Sequence, residues 1–172
     1  TKSIERLLDE ITLFIHTVVE EMSKDKQDVL KVIHNRDEMF EGKEVLIVDD
    51  DVRNLYALSN VLESYKMKVT QATNGVEALE ALKEMSHVDL VLMDIMMPEM
   101  DGYQATREIR KNRKYNSLPI IALTAKAMKE DRQLCIDAGA NDYMSKPLDK
   151  EKLISLLRVW LHSRTKKVNE TV

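Results

Sequence analysis

From Lys43 onward, short apolar runs alternate five times with amphipathic stretches, and this alternation restricts the fold more than any other feature of the chain. Residues 45–48, 68–70, 88–93, 118–123 and 142–144 have the length and residue types of strands. Residues 52–64, 75–85, 103–113, 126–138 and 150–162 carry helical spacing, as in Leu55, Leu58 and Leu62 on one face. Because strand–crossover–strand connections are right-handed, five such units in succession predict a doubly wound α/β domain, a parallel sheet covered by helices on both faces. In such sheets ligands bind outside the carboxyl ends of the strands, so the chemistry is sought there.

The region before this alternation differs in kind. All four glycines and three prolines lie at or after Gly42, so residues 1–41 contain no breaker. They carry 6 basic and 10 acidic residues, leaving 20 of each in 42–172, so the net charge of −4 belongs to the first segment. Ile4, Leu7, Leu8, Ile11, Phe14, Ile15, Val18 and Val19 form an amphipathic helical stripe, and a second short helix follows a break at 23–28. The expected organisation is a helical extension over 1–41, a domain over 42–162 and a flexible tail over 163–172.

Charge and composition exclude several classes. A net charge of −4 argues against a nucleic-acid-binding surface, and no run of eighteen apolar residues could span a membrane. A lone cysteine, Cys135, permits neither an internal disulfide nor a thiolate metal site, and suits a reducing, cytoplasmic setting. The opening at Thr1, without a charged-then-apolar leader, reads as a piece of a longer protein whose targeting is not visible here.

Polar residues collect at the strand ends. Asp49 and Asp50 end the first strand, Asp94 the third and Thr124 the fourth, while Lys146 follows the fifth. Three carboxylates against one ammonium repel one another, and a hard divalent cation, Mg²⁺ first, relieves the crowding. A carboxylate can serve as the nucleophile for phosphoryl transfer once charge on the three equatorial oxygens is neutralised, and Asp94 is best placed for it. The cation would take one phosphoryl oxygen, Lys146 another, and the Thr124 hydroxyl with a neighbouring N–H the third.

Four motifs in order, Val45-Leu46-Ile47-Val48-Asp49-Asp50-Asp51, Leu92-Met93-Asp94-Ile95-Met96-Met97-Pro98-Glu99-Met100-Asp101-Gly102, Ala122-Leu123-Thr124-Ala125 and Tyr143-Met144-Ser145-Lys146-Pro147, resemble the response-regulator receiver domain across residues 43–162. The resemblance implies a flavodoxin-like (βα)5 fold with strand order 2-1-3-4-5. It implies Asp94 as phosphoacceptor, Asp50 and Asp94 with the Met96 carbonyl as metal ligands, and Asp49 as the second acid-pocket carboxylate, reached through water. Lys146 becomes the phosphate partner, and Thr124 and Tyr143 the switch residues. Mg²⁺, with Mn²⁺ as an alternative, is the implied cofactor, and a histidine kinase or histidine phosphotransfer domain the implied partner. A cis Lys146-Pro147 peptide is also implied. Such a domain catalyses only its own phosphorylation and dephosphorylation.

The six residues Leu7, Leu8, Ile11, Phe14, Ile15 and His16 repeat the spacing of Leu153, Ile154, Leu157, Trp160, Leu161 and His162 at a constant offset of 146. The chain is thus similar to hybrid sensor histidine kinases with receivers in series, against the plainer reading of a signalling helix. A rival class is the Mg²⁺-dependent aspartate-nucleophile phosphatase of the haloacid dehalogenase type. That chemistry needs a second acid two residues after the nucleophile, where this chain has Met96. Asp51 reads as a helix cap, Cys135 as a small buried hydrophobe, and Arg107, Arg110, Lys111, Arg113 and Lys114 as a solvated helix end suited to the helix dipole.

Overall fold

A computed structural model of the chain describes residues 37–125 and 128–169, with side chains to 162. Residues 1–36 of the expected helical extension, with the first copy of the internal repeat, and Lys126 and Ala127 ahead of the fourth helix, lie outside the described residues. The chain divides into two compact units, Thr1–Glu38 and Met39–Val172. The second unit runs β1 (Glu44–Val48), α1 (Val52–Ser64), β2 (Lys68–Ala72), α2 (Gly75–Glu84), β3 (Leu90–Asp94), α3 (Gly102–Lys111), a 3₁₀ turn (Arg113–Tyr115), β4 (Ile120–Thr124), α4 (Lys129–Ala138), β5 (Asp142–Ser145) and α5 (Lys150–Asn169).

The five strands form one parallel sheet in the order β2-β1-β3-β4-β5, the flavodoxin-like arrangement. The apolar runs of β1, β3 and β4 are continuous because both faces are buried. Alternate residues go to opposite sides: Val45, Ile47, Leu92 and Ile121 share a core with Leu55 and Leu62 of α1 and Leu153 and Leu157 of α5. Leu46, Val48, Val91 and Ile120 pack with Ala78 and Leu82 of α2 and Ala105 and Ile109 of α3. Cys135 of α4 is fully buried with Ile95 and Ala122, and burial pushes its thiol up, as a small core hydrophobe requires.

Local chemistry moves several boundaries from those read in the sequence. The packed unit begins ahead of Gly42, because Phe40 is fully buried and meets the Tyr65 ring edge-on at 5.6 Å. Helix α3 starts at Gly102, since Asp101 accepts the Gln104 N–H at 2.8 Å and so caps it. Helix α5 continues to Asn169, through residues assigned to the tail, and no glycine or proline follows Pro147 to stop it. Arg110 departs from the solvated basic cluster. It is half-buried, and its guanidinium donates to the Gly139 carbonyl at 2.8 Å and to Asn141 Oδ1 at 2.7 Å, tying α3 to the α4–β5 connection. The sequence offered no reason to separate it from its neighbours.

At the amino edge of the sheet, Asp89 turns inward and accepts the Glu44 N–H at 2.9 Å, with His87 Nε2 at 3.1 Å and Lys43 Nζ at 3.5 Å. Burial works against the charge, but the Glu44 N–H, His87 and Lys43 outweigh it and hold the carboxyl below its usual range. A depressed carboxylate contributes stability above its unfolded pKa and loses it as pH falls through the folded value. Asp89→Ala should therefore cost about 1–3 kcal/mol at neutral pH. Urea titrations should show the gap closing under acid conditions, and a gap that persists at full strength there would contradict this account.

Candidate functional site

The site grows from the carboxyl edge of β1, β3, β4 and β5. Three carboxylates meet there: oxygens of Asp49, Asp50 and Asp94 lie within 4.8 Å of one another, with Asp49 and Asp94 buried and Asp50 exposed. The parallel register places Val48 beside Met93, so the ends of β1 and β3 emerge together. β3 carries its ladder through Asp94, one residue further than the apolar run suggests.

Lys146 is delivered from the other side. β5 pairs with β4 up to Thr124 and Ser145, and the Lys146 N–H donates to the Thr124 carbonyl at 2.7 Å. The Lys146–Pro147 peptide is cis, and Lys146 Nζ sits 2.7 Å from Asp49 Oδ2 and 3.0 Å from Asp94 Oδ2. Burial opposes the ammonium, but its hydrogen bonds to both carboxylates prevail and raise its pKa. Burial also pushes the Asp94 carboxyl up, with the Asp49 charge adding to it, against the opposing pull of Lys146 and the Met96 N–H, which donates to Asp94 Oδ1 at 3.2 Å.

The other sequence-named residues fall into two groups. Thr124 is 4% exposed at the end of β4, beside the Lys146 backbone. Met96 stands 68% exposed on the loop after β3. Tyr143, by contrast, is not among the acid-nest groups: it lies half-buried on β5, packed on the Ile95, Ala122 and Cys135 cluster with the Arg132 guanidinium 5.5 Å from its ring centre. Asp51 is the α1 cap, and its hydrogen bonds with the Arg53 side chain and N–H hold its carboxyl at about 2.

Two residues that shape the site were given no role from the sequence. Asn54 donates from Nδ2 to both Asp49 oxygens at 3.2 Å, and Gly102 lies against the backbone of Asp94 and Ile95. Neither carries a periodicity signal, although an asparagine at the third position of a helix beginning beside an Asp run is a usable hint. The donor set is all oxygen and partly open to water, which fits a hard divalent cation.

Residues 45–158 match the family model of the response regulator receiver domain. The chain is 39% identical over 119 residues to hybrid signal transduction histidine kinase L of Dictyostelium discoideum, a match spanning 66% of this chain and 7% of that protein. It superposes with a TM-score of 0.66 and 39% identity on the receiver domain of a sensor histidine kinase from Pseudomonas aeruginosa, solved with magnesium in its active-site cleft, covering 70% of this chain and 98% of that one. With a TM-score of 0.68 and 31% identity it also resembles a chain from the complex of the Saccharomyces cerevisiae phosphotransfer protein Ypd1 with the receiver domain of Ssk1, over 73% of this chain and 92% of that one. No helix among the described residues is long and apolar enough to cross a membrane. The motifs, the strand order and these likenesses together establish that the chain belongs to the response regulator receiver domain family and acts in two-component phosphorelay signal reception.

Proposed function

We propose that Asp94 is the phosphoacceptor, taking a phosphoryl group from the phosphohistidine of a histidine kinase or histidine phosphotransfer domain. The observation that carries this reading is the pairing of a 3% exposed carboxylate on a middle strand with an ammonium 3.0 Å away and two further carboxylates alongside. An Asp94 carboxylate oxygen attacks phosphorus, the phosphorus–nitrogen bond breaks, the electron pair leaves with the imidazole, and an acyl phosphate forms. Asp50, Asp94 and the Met96 carbonyl would hold Mg²⁺, or Mn²⁺ in its place, with Asp49 acting through water. When bound, the cation supplies positive charge to a phosphoryl oxygen. Lys146 neutralises a second oxygen, and the Thr124 hydroxyl with a neighbouring N–H binds the third.

Thr124 and Tyr143 then report the new charge. Thr124 ends β4 at the pocket and Tyr143 lies on the paired β5, so a shift at one biases the α4–β5 face. On this reading the domain is a cytoplasmic relay within a hybrid sensor kinase, with residues 1–41 as the linker that leads into it. A phosphatase reading finds Met96 where it needs an acid.

Phosphoramidate, which carries the same phosphorus–nitrogen bond, tests the scheme by intact-mass spectrometry. Labelling should require Mg²⁺, and Asp50→Ala should slow it by about tenfold or more at limiting Mg²⁺, as removal of a ligand from a metal site predicts. Labelling that proceeds equally well in EDTA would refute the metal-assisted step.

A further inference from the structure

The carboxamide of Asn54 has no part in the transfer scheme, yet it rests against Asp49, a fully buried carboxylate of the pocket. Its Nδ2 lies 3.2 Å from each Asp49 oxygen. Asp51 caps α1, so Asn54 is the third helical residue, whose side chain turns back towards the cap. In a capping box, a glutamate or glutamine there accepts the cap's N–H. Here Asp49 Oδ1 takes the Asp51 N–H at 2.9 Å, and the side chain at position 54 is free to donate to that same carboxylate. A glutamate at this position would add a fourth carboxylate to the nest, whereas asparagine brings a donor without charge.

Lys146 divides its ammonium between Asp49 at 2.7 Å and Asp94 at 3.0 Å. Once it is drawn to a phosphoryl oxygen, Asp49 keeps the Asp51 N–H and the Asn54 amide as donors. We infer that Asn54 is a positioning residue, fixing the Asp49 carboxylate so that the nest is preorganised for a divalent cation whether or not Lys146 is engaged there. The inference deepens the proposed function and rests on it. Partners that orient metal-site carboxylates typically contribute about 10–100-fold in metal affinity.

Asn54→Ala and Asn54→Leu test this, the second keeping the branched heavy-atom skeleton without the amide. The side chain is half-buried and lines a groove with Ala57, Pro147 and Leu148, and Asn54 itself belongs to no core cluster. Mg²⁺ alone is titrated while the amide shifts of Asp94 and Met96 are followed by NMR, and melting in EDTA serves as the structural control. Both variants should bind Mg²⁺ about tenfold more weakly, melt in EDTA like the parent, and regain normal phosphoramidate labelling at saturating Mg²⁺. Unchanged Mg²⁺ affinity in both variants would overturn the inference. So would labelling that stays slow at saturation, because that would put Asn54 in the transfer step. A parent domain that fails to label on Asp94 would sink the proposed function instead, while the Mg²⁺ comparison would still decide the role of Asn54.

Discussion

Asp94→Asn should abolish labelling by phosphoramidate and acetyl phosphate and leave the fold intact. The amide is nearly isosteric, keeps its place among Ile95, Met93 and the end of β4, and leaves Lys146 paired with Asp49 at 2.7 Å. It has no carboxylate oxygen to attack phosphorus, so the loss of labelling is complete rather than partial. Stability should move the other way. Burial pushes the Asp94 carboxyl up, reinforced by Asp49 and opposed by Lys146, so the fold favours the protonated form. The contribution of such a group is present at acid pH and lost as pH rises through its raised pKa. In EDTA at neutral pH the variant should therefore be at least as stable as the parent in urea, and the difference should shrink towards acid pH. Residual labelling at another aspartate, or a clear loss of stability, would contradict the assignment.

Gly102→Ala should be the most damaging small substitution near the site. The glycine N–H donates to the Ile95 carbonyl at 3.0 Å, closing the loop that leaves β3. A Cβ would overlap the Asp94 carbonyl oxygen, and it would stand 2.8 Å from Ile95 Cα and 2.9 Å from the Asp94 carbonyl carbon. All three are backbone atoms, so no side chain can swing aside. Relief requires the loop or the start of α3 to move, at a cost of about 3 kcal/mol, the upper part of the usual range for overpacking. The strand end bearing Asp94 would move with it, so phosphoramidate labelling should slow as well as the urea midpoint falling. An alanine variant with the parent's midpoint would show that the loop yields easily, against the tight closure described here.

The sheet was legible because burial on both faces writes itself as uninterrupted apolar residues, as in Leu46-Ile47-Val48 and Ile120-Ile121-Ala122. The acid nest was legible for a related reason. A parallel sheet sends every strand's carboxyl end to one edge, so Asp49, Asp50, Asp94 and Thr124 needed only their positions at the strand ends to be grouped. Features set by individual long-range contacts were not legible. Phe40 stands alone ahead of β1, and nothing in its neighbours announces that it fills the core beneath Tyr65. Arg110 looks like the other basic residues of α3 until the α4–β5 connection is folded against it. Asp89 and Asn54 act through one carboxylate and one amide, and hydropathy patterning carries no trace of which backbone group or side chain they will meet.

The most direct measurement is a crystal structure of the domain grown with Mg²⁺ and beryllofluoride, a mimic of the phosphoryl group. Beryllium should be bonded to an Asp94 oxygen, with the cation held by Asp50 and Asp94 and the Lys146 ammonium turned to a fluorine. Beryllofluoride bound elsewhere, or an acid nest that takes up neither species, would contradict it.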